Sequence, residues 1–318
     1  MGSEEEVWRE VRECVVYSDE EQWSQGRARA GEQLLGAVLR EFPTGSAVAA
    51  EWARWRTGWR FQRDLVAAAG RVGRPWRDVM LANVSYDLAL IAIGCSTAAV
   101  ATADGPLLAR NLDWWPEREL MGAAEVIDTG DQVRATWPGF VGVVTGMSRR
   151  GFALAINAVT CEERPGPRGY PILLFLRRVL DDARDFAHAL EMLTTQRLAA
   201  SALITLVGTR NSERVVIERT PRRAFPRWAE GDAPLVATND YRLFDAAAEV
   251  GAHTLYETSC GRHDALLERV GALEPGARHA DAALMSALRD RRVLQDITVQ
   301  HVIARPSLGL ARAWVPAC

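Results

Sequence analysis

One short stretch, residues 93–115, constrains the fold of this chain more than any other. It reads Ile-Gly-Cys-Ser-Thr-Ala-Ala-Val, then Ala-Thr-Ala-Asp-Gly-Pro, then Leu-Leu-Ala-Arg-Asn-Leu-Asp-Trp-Trp. An Asp-Gly pair between two apolar runs is the strongest short-range signal of a β-hairpin, which predicts the turn at Asp104 and Gly105. Folding the second strand back brings Leu112 and its neighbours beside Cys95, with facing Cβ atoms roughly 5 Å apart.

The predicted hairpin gathers a thiol, a guanidinium and a carboxylate, on Cys95, Arg110 and Asp113. Arg110 and Asp113 are three residues apart, whereas side chains alternate along a strand. We therefore expect both to face Cys95 only if the strand bulges or ends near Asn111 or Leu112. A plainer interpretation also fits these residues, namely a buried cysteine in a hairpin that carries a surface Arg–Asp pair.

A catalytic interpretation of the hairpin starts from the Gly94–Cys95 peptide bond, where glycine leaves room for backbone approach. If that bond is cut, Cys95 becomes an N-terminal residue. Its α-amine, with an ordinary pKa near 8, can then act as a general base to its own thiol. A neighbouring Arg110 favours the thiolate, and Asp113 is placed to hold the amine.

Composition narrows the possible functions. The 318 residues suffice for one large domain or two small ones, and the formal net charge of -3 gives no indication of nucleic-acid binding. Every basic residue is Arg, so Lys-based Schiff-base chemistry and a P-loop are excluded. The N-terminus is acidic and lacks the apolar segment of a signal peptide, which predicts a cytoplasmic protein without a transmembrane span.

The cysteines and histidines show no metal-binding spacing. There are five of each, with no CxxC or HExxH pattern, so we expect neither a metal site nor a cofactor. A disulfide between Cys14 and Cys260 stays open as an alternative to free thiols. The cysteines are Cys14, Cys95, Cys161, Cys260 and Cys318, and the histidines are His188, His253, His263, His279 and His301.

Periodicity predicts helices in the first part of the chain, over residues 4–14, 31–41 and 46–69. Trp52, Trp55 and Trp59 then form one stripe on the third helix, either packed on the main domain or exposed as an amphipathic surface. Later segments alternate as strands and helices, including a strand over residues 140–145. Four aromatic residues on and after the hairpin suggest an apolar acyl pocket near Cys95: Trp114, Trp115, Trp137 and Phe140.

The motifs Gly-Cys-Ser-Thr and Ala-Arg-Asn-Leu-Asp-Trp resemble the nucleophile region of the N-terminal-nucleophile amidases. The similarity is greatest to acid ceramidase and N-acylethanolamine acid amidase, which have Cys-Thr-Ser and Gly-Arg-Asn-Met/Leu-Asp. Penicillin V acylase, bile salt hydrolase and the acyl-CoA:6-aminopenicillanate acyltransferase share the superfamily. The resemblance implies an α+β fold, a four-layer αββα sandwich with a helical N-terminal segment, and catalysis by Cys95 with Arg110 and Asp113.

The resemblance also extends to three later residues. Asn157 ends a predicted strand at the place where the family offers a backbone N–H to the oxyanion; a turn-capping role is the alternative. Asn239, in Thr-Asn-Asp-Tyr, matches the asparagine whose side chain donates to the oxyanion. Arg262, in Ser-Cys-Gly-Arg, corresponds to the family's second active-site arginine, although a surface arginine at the head of a helix also fits.

The function expected from this resemblance is a self-cleaving cysteine amidohydrolase. It would act on an N-acylated small molecule with a fatty or aryl acyl group, through a thioester on Cys95. Residues 1–94 would form the propeptide or α-subunit and residues 95–318 the catalytic β-subunit, giving an α/β heterodimer. Two alternatives stay open: an N-acyltransferase that uses the same acyl-enzyme, and a homologue that neither cleaves itself nor catalyses.

Overall fold

The computed structural model describes residues 11–18, 24–42, 46–88, 94–163, 166–244, 257–273 and 280–316. Within them the chain forms a six-stranded sheet, an eight-stranded sheet and the helices that cover both. The expectations for Ile93, His253, His279 and Cys318 lie outside the described residues.

The six-stranded sheet comprises β1 (Val11–Glu13), β3 (Gly94–Val100), β4 (Leu107–Asp113), β12 (Leu235–Ala237), β13 (Thr298–Arg305) and β14 (Leu310–Pro316). The eight-stranded sheet comprises β2 (Val15–Tyr17), β5 (Glu125–Asp128), β6 (Gln132–Thr136), β7 (Thr145–Ser148), β8 (Phe152–Asn157), β9 (Ala202–Val207), β10 (Arg214–Arg219) and β11 (Ala224–Trp228). Their strand orders are β1-β14-β13-β4-β3-β12 and β11-β10-β9-β8-β7-β6-β5-β2. The described helices are α1 (Gln25–Glu41), α2 (Ser46–Arg56), α3 (Gln62–Val72), α4 (Trp76–Leu88), α5 (Glu117–Ala123), α6 (Ile172–Asp182), α7 (Phe186–Thr195), α8 (Ser259–Gly271) and α9 (Ala280–Leu288).

Three hydrophobic cores separate four layers, which confirms the predicted αββα sandwich. The first core packs α1–α4, α6 and α7 on the outer face of the eight-stranded sheet, with Leu154 and Ile217 as examples. The second lies between the sheets and includes Ala99 and Met147. The third packs α8 and α9 on the outer face of the six-stranded sheet, for example Leu266 on Val236. Burial of apolar side chains at all three interfaces is what holds the layers together.

The predicted hairpin is formed as β3 and β4. Its register pairs Gly94 with Asp113 and Cys95 with Leu112, and it continues without a shift to the far end of the strands. Gly105 occupies the turn with a positive φ of 96°, where L side chains are strained. Of the two predicted possibilities, the bulge near Asn111 or Leu112 is absent from β4, which instead ends at Asp113; the irregularity lies in the neighbouring strand β13.

The N-terminal segment departs from its prediction. A helix was expected over residues 4–14, but the described part of that range forms strand β1, followed after one residue by β2. Each strand extends an edge of a different sheet, so the chain crosses between the sheets at the buried Cys14. The β-branched Val15 and Val16 favour a strand where a sheet edge is open for pairing. Tertiary pairing therefore overrides the helical spacing here.

The long helix expected over residues 46–69 is interrupted. It divides into α2 and α3 around Gly58 and Trp59, both of which have positive φ. Trp59 thus leaves the predicted stripe, and both it and Trp55 are exposed, whereas Trp52 is half-buried against the first core. The strand expected over residues 140–145 is also absent, since β7 begins at Thr145.

No described helix combines the length and apolar character needed to cross a bilayer. Cys14 is buried and Cys260 exposed, and both are free thiols.

Candidate active site

Cys95 is the second residue of β3, and its side chain is fully buried. Because β3 lies inside the six-stranded sheet, its alternating side chains meet different layers. The Cys95 side chain faces the second sheet, together with Thr97 and Ala99, whereas Ser96 and Ala98 face α8 and α9. Groups can therefore reach Cys95 from two sides, the sulfur from one and the backbone from the other.

Arg110 contacts the sulfur from the inter-sheet side. Its Nη2 donates to Cys95 Sγ at 2.6 Å, while Nη1 donates to the Val144 carbonyl at 2.9 Å and to Thr145 Oγ1 at 2.8 Å. The second sheet thereby fixes the guanidinium in place. The Cys95 thiol donates in turn to the Ile156 carbonyl at 3.5 Å.

Asp113 lies on the other side of β4, opposite Gly94. Thr298 Oγ1 donates to Asp113 Oδ1 at 2.6 Å, and Arg262 Nη1 lies 4.0 Å from Oδ2. Arg110 and Asp113 therefore need no bulge to meet Cys95, because one approaches the sulfur and the other lies beside the Gly94–Cys95 backbone. Alternation along the strand separates the two charges by face.

Arg262 is buried against the active-site strand, which rules out a surface arginine. It lies on the first turns of α8, and Nη1 donates to the Cys95 carbonyl at 2.8 Å and to Ser96 Oγ at 3.0 Å. Its Nη2 donates to Asn239 Oδ1 at 2.7 Å. Arg262 thus binds the backbone of the cysteine and the side chain of Asn239 at the same time.

Asn239 follows β12 and also contacts Cys95. The Cys95 N–H donates to Asn239 Oδ1 at 3.1 Å, and Asn239 Nδ2 donates to the Ala158 carbonyl at 2.7 Å. Its backbone N–H donates to Ser259 Oγ at 2.8 Å, which ties it to α8. Ser259 also bonds Asp240. This environment is a buried network and not a simple turn.

The side chain of Asn157 connects neighbouring segments. Its Oδ1 accepts from Thr97 Oγ1 at 2.7 Å, and its Nδ2 donates to the carbonyls of Ala237 and Thr238 at 3.0 Å each. Asn157 therefore holds the segment that carries Asn239 against β3 and β8. The predicted role of its backbone N–H in catalysis stays a prediction.

Burial dominates the electrostatics of the site. It raises the pKa of the Cys95 thiol; Arg110 lowers that pKa, Asp113 raises it, and Arg262 lowers it. Burial also raises the pKa of the Asp113 carboxyl, against the opposing effect of Arg262, Thr298 and Arg110. In the continuous chain the cysteine is thus held as a thiol, and the two guanidiniums are the groups that favour its ionisation.

The four predicted pocket aromatics line one cavity of about 510 Å³. Trp114, Trp137 and Phe140 meet edge to face, with ring centroids 5.7 to 6.4 Å apart. Cys95 does not line this cavity directly. However, Leu112 is the partner of Cys95 across the hairpin, and Trp114 lies two residues beyond Leu112. The remaining wall comes from α1 and the residue after it, from α4, from α5 and from the turn after β6, so segments before and after residue 94 build the cavity together. These residues are Leu34, Leu35, Val38, Glu41, Phe42, Ala82, Ser85, Leu120, Pro138 and Gly139.

Several residues that hold the site escaped sequence reasoning. Val144 and Thr145 fix Arg110, Thr298 fixes Asp113, and Ser259 fixes Asn239. Val144 immediately precedes β7, and the others are ordinary strand or helix residues; the role of each arises from a contact across the fold. Nothing in the sequence spacing marks them. Among the described residues, no three His, Cys, Asp or Glu side chains come together in a way that holds a metal ion.

A four-layer αββα sandwich with a buried cysteine at the start of a central strand defines the N-terminal-nucleophile class. Residues 100–290, more than half of the chain, match the family model of acyl-coenzyme A:6-aminopenicillanic acid acyl-transferase. The chain therefore belongs to this family, within the N-terminal-nucleophile superfamily. No curated protein sequence matches it significantly.

Two solved structures are similar to this chain, and the first of them shares its fold. The chain is similar to the Caenorhabditis elegans ortholog of N-acylethanolamine-hydrolyzing acid amidase, with a TM-score of 0.55 and 18% identity over 67% of this chain and 93% of that one. It is also similar to a mutant of the conjugated bile acid hydrolase from Clostridium perfringens, with a TM-score of 0.46 and 11% identity over 69% of this chain and 88% of that one.

Proposed function

We propose that this chain is a self-cleaving cysteine amidohydrolase that releases the acyl group of an N-acyl amide through a thioester on Cys95. The strongest support is the contact of 2.6 Å between Arg110 Nη2 and Cys95 Sγ in a buried site. Arg262 and Asn239, which bind the carbonyl and the N–H of the same residue, give further support. Family membership supports acyl chemistry by this chain, although the matched residues 100–290 begin after Cys95.

Self-cleavage is the first proposed reaction. The Cys95 sulfur attacks the Gly94 carbonyl carbon, the Gly94–Cys95 C–N bond breaks, and the nitrogen takes a proton to become the α-amine. Water then hydrolyses the thioester, leaving a Gly94 carboxylate and a free Cys95 thiol. Residues 1–94 and 95–318 would be the two subunits of the resulting heterodimer, held together by the shared core and cavity.

Turnover follows the same chemistry on a substrate. The α-amine takes the thiol proton, and the thiolate attacks the amide carbonyl carbon. The α-ammonium then gives that proton to the amide nitrogen, so that the C–N bond breaks and a neutral amine leaves. Asp113 would hold the α-ammonium, and the backbone N–H of Asn157 with the Asn239 amide would stabilise the oxyanion. Water completes the cycle by hydrolysing the thioester. The aromatic cavity supports an apolar fatty or aryl acyl group.

Acyl transfer to an amine is the second candidate, because the matching family model is that of an acyltransferase. The acyl-enzyme is the same in both cases, and only its acceptor differs. Product analysis with N-acyl amides, with and without an added amine, separates the two. Free acid as the main product in both conditions supports hydrolysis, whereas a new amide that increases with amine concentration supports transfer.

The proposal is tested first by the intact mass of purified protein. We expect two fragments, the second beginning at Cys95, in the wild-type protein, and a single chain for Cys95→Ala. The matched control is Cys161→Ala, another cysteine with a partly buried thiol, which should still be cleaved. Cleavage of Cys95→Ala at the same bond would show that the chain does not process itself.

A further inference from the structure

Gln300, in β13, is a buried residue whose side chain lacks a partner among the described residues. It has no exposed surface, and neither Oε1 nor Nε2 makes a hydrogen bond. Buried side-chain amides are usually satisfied, because an unsatisfied polar group loses its bonds to water without replacement. The next residue, His301, shows the usual case: its ring bonds Asn111 Oδ1 at 2.7 Å. An amide left unsatisfied at both ends therefore calls for a functional explanation.

The strand register puts Gln300 in the same row as the nucleophile. Cys95 pairs with Leu112, and Leu112 pairs with Gln300 on its other side. Directly paired residues share a face, so Gln300 lies on the face of the sheet that carries the Cys95 sulfur. Two strand spacings separate the backbones, roughly 10 Å. Arg110, which pairs with Val302, is the diagonal neighbour of Gln300.

Another unsatisfied buried polar atom lies on the same face of the sheet. Arg110 Nε likewise has no hydrogen-bond partner in the described part of the chain. Arg110 belongs to β4, between Cys95 and Gln300 in the sheet order. An unpartnered guanidinium nitrogen and an unpartnered amide thus lie near Cys95 on adjacent strands. This is the pattern expected where a polar ligand completes the site.

We propose that Gln300 is a substrate-binding residue that recognises a second hydrogen-bonding group, a hydroxyl or a secondary amide, on the acyl part of the substrate. The Gln300 carboxamide has a hydrogen-bond donor and an acceptor side by side. A hydroxyl or a secondary amide on the substrate satisfies both at once. We assign the recognised group to the acyl part of the substrate because the proposed acyl cavity and Gln300 share a neighbour. Helix α5 supplies Leu120 to the cavity wall and packs against β13, the strand of Gln300. This inference rests on the proposed function. It narrows the proposed substrates from amides of unsubstituted acyl groups to amides whose acyl group carries a hydroxyl or a secondary amide.

The test compares matched anilides that differ in one polar group. Mandelyl anilide, as each enantiomer, is compared with phenylacetyl anilide for the hydroxyl, and hippuryl anilide with 4-phenylbutanoyl anilide for the secondary amide. We expect wild-type kcat/KM to favour the polar member of at least one pair by about tenfold or more. Gln300→Met, which keeps the length and apolar volume, should remove that preference and leave the plain anilide unchanged or faster. An equal preference in both proteins would overturn the assignment.

A second measurement separates substrate binding from a structural role. If Gln300 has no protein partner, Gln300→Met should keep or raise the thermal unfolding midpoint, whereas a structural glutamine would lower it. The control Gln132→Met removes a glutamine whose Nε2 bonds Asp181 at 2.9 Å in the eight-stranded sheet, and should leave the anilide preference unchanged. A lowered midpoint together with an unchanged preference in Gln300→Met would show that the residue is structural.

Binding of the product acids tests the inference even if the proposed function fails. Absence of turnover of all four anilides by processed wild-type protein counts against the amidohydrolase. Calorimetry with mandelate, phenylacetate, hippurate and 4-phenylbutanoate then still reports on Gln300. Preference for a polar acid in the wild type and its loss in Gln300→Met would support the assignment. Equal affinities within both pairs in both proteins would reject it.

Discussion

The two sides of the active-site strand bind different parts of the same cysteine. On the inter-sheet side, Arg110 contacts the Cys95 sulfur and is fixed by the second sheet. On the helix side, Arg262 contacts the Cys95 carbonyl and Asn239 contacts its N–H. The comparison divides the roles of the two arginines: under the proposed function, Arg110 acts on the nucleophile and Arg262 on the backbone that would become the α-amine. The predictions below test this division.

Loss of Arg262 should have the largest effect, because it removes the cation beside Asp113 and the donor to three buried acceptors, on Cys95, Ser96 and Asn239. Breaking a buried charge pair from one side costs about 3–5 kcal/mol of the free energy of unfolding. We expect Arg262→Ala to lose that much in urea titrations on the Cys95→Ala background, where every protein is one chain. It should also abolish self-cleavage when Cys95 is present.

The control for this prediction is Arg312→Ala. Arg312 pairs with Glu13 at 2.6 Å, but both side chains are largely exposed, so the pair is worth less than about 1 kcal/mol. Similar losses for the two variants would mean that Arg262 does not act as a buried partner of the active-site strand.

Asn239→Asp should have the next largest effect. An aspartate cannot donate to the Ala158 carbonyl, and it brings negative charge to the place where, under the proposed function, the oxyanion would develop. Loss of such a donor lowers kcat by roughly 10²–10³ with little change in KM. The assay uses processed enzyme, so that failed cleavage is not mistaken for failed catalysis.

Asn211→Asp is the matched control for Asn239→Asp. Asn211 also uses its side chain to bond a backbone, that of Thr102 in a distant turn. Its substitution should reduce stability without reducing kcat. Near-wild-type turnover by Asn239→Asp would remove Asn239 from the catalytic group.

Arg110→Ala should change the nucleophile itself. Arg110 lowers the pKa of the buried Cys95 thiol, so its removal should raise that pKa further. At pH 7 the thiolate fraction falls, and alkylation of Cys95 by iodoacetamide should slow by at least about tenfold. The rate is followed against pH by mass spectrometry of the peptide that begins at Cys95.

The pH dependence of Cys95 alkylation in a milder variant on the helix side, Arg262→Gln, sharpens the comparison. Arg262→Gln, which keeps donors near the Cys95 carbonyl, should shift the thiol pKa less than Arg110→Ala does. If the two shifts were equal, or if Arg262→Gln gave the larger one, the proposed division between the two sides would be wrong.

The smallest expected effect comes from substitution of Asp87, a buried carboxyl outside the active site that serves as a comparison for Asp113. Burial raises the pKa of Asp87 to about 8, although the backbone N–H of Ile172 opposes this. The folded chain therefore keeps a proton that the unfolded chain releases above about pH 4. Stability then falls as pH rises from about 5 to 7, by roughly 1 kcal/mol per pH unit.

Asp87→Asn should flatten this pH dependence, because asparagine does not titrate. Urea unfolding of the single-chain Cys95→Ala background at pH 5, 6 and 7 measures the slope with and without the substitution. Equal slopes with and without the substitution would show that burial away from arginine does not keep Asp87 protonated. Burial would then also fail to explain the raised pKa of Asp113, which lies beside Arg262.

Much of the catalytic hairpin was predictable because its information is local. The Asp104–Gly105 turn fixes the strand register, and the register alone brings Leu112 and Arg110 opposite the first residues of β3. The alternation of apolar residues likewise predicted most of the later strands. The bulge was not needed, since the strand presents Arg110 to one layer and Asp113 to the other. A single strand read by itself does not show that both of its faces are covered.

The N-terminal region was predicted less well because tertiary contacts outweigh local preference there. Helical spacing before Cys14 did not reveal the free sheet edges that β1 and β2 extend. The three tryptophans fit one helical stripe in sequence, yet positive φ at Gly58 and Trp59 breaks the helix between α2 and α3. The strands that pair with β1 and β2 lie far from them in the sequence, so local spacing does not reveal them.

The sequence by itself determined the hairpin, the nucleophile candidate and the aromatic wall, because turn chemistry and side-chain alternation act over a few residues. Only the tertiary structure decided which groups complete the site. The family resemblance named Arg262 and Asn239 as candidates, but both lie more than 140 residues after Cys95. They reach it because β12 pairs with β3 in the same sheet and α8 packs on that sheet. Thr145 and Gln300 acquire their places through strand neighbours. Such contacts depend on how the layers stack, and no local pattern of residues encodes that stacking on its own.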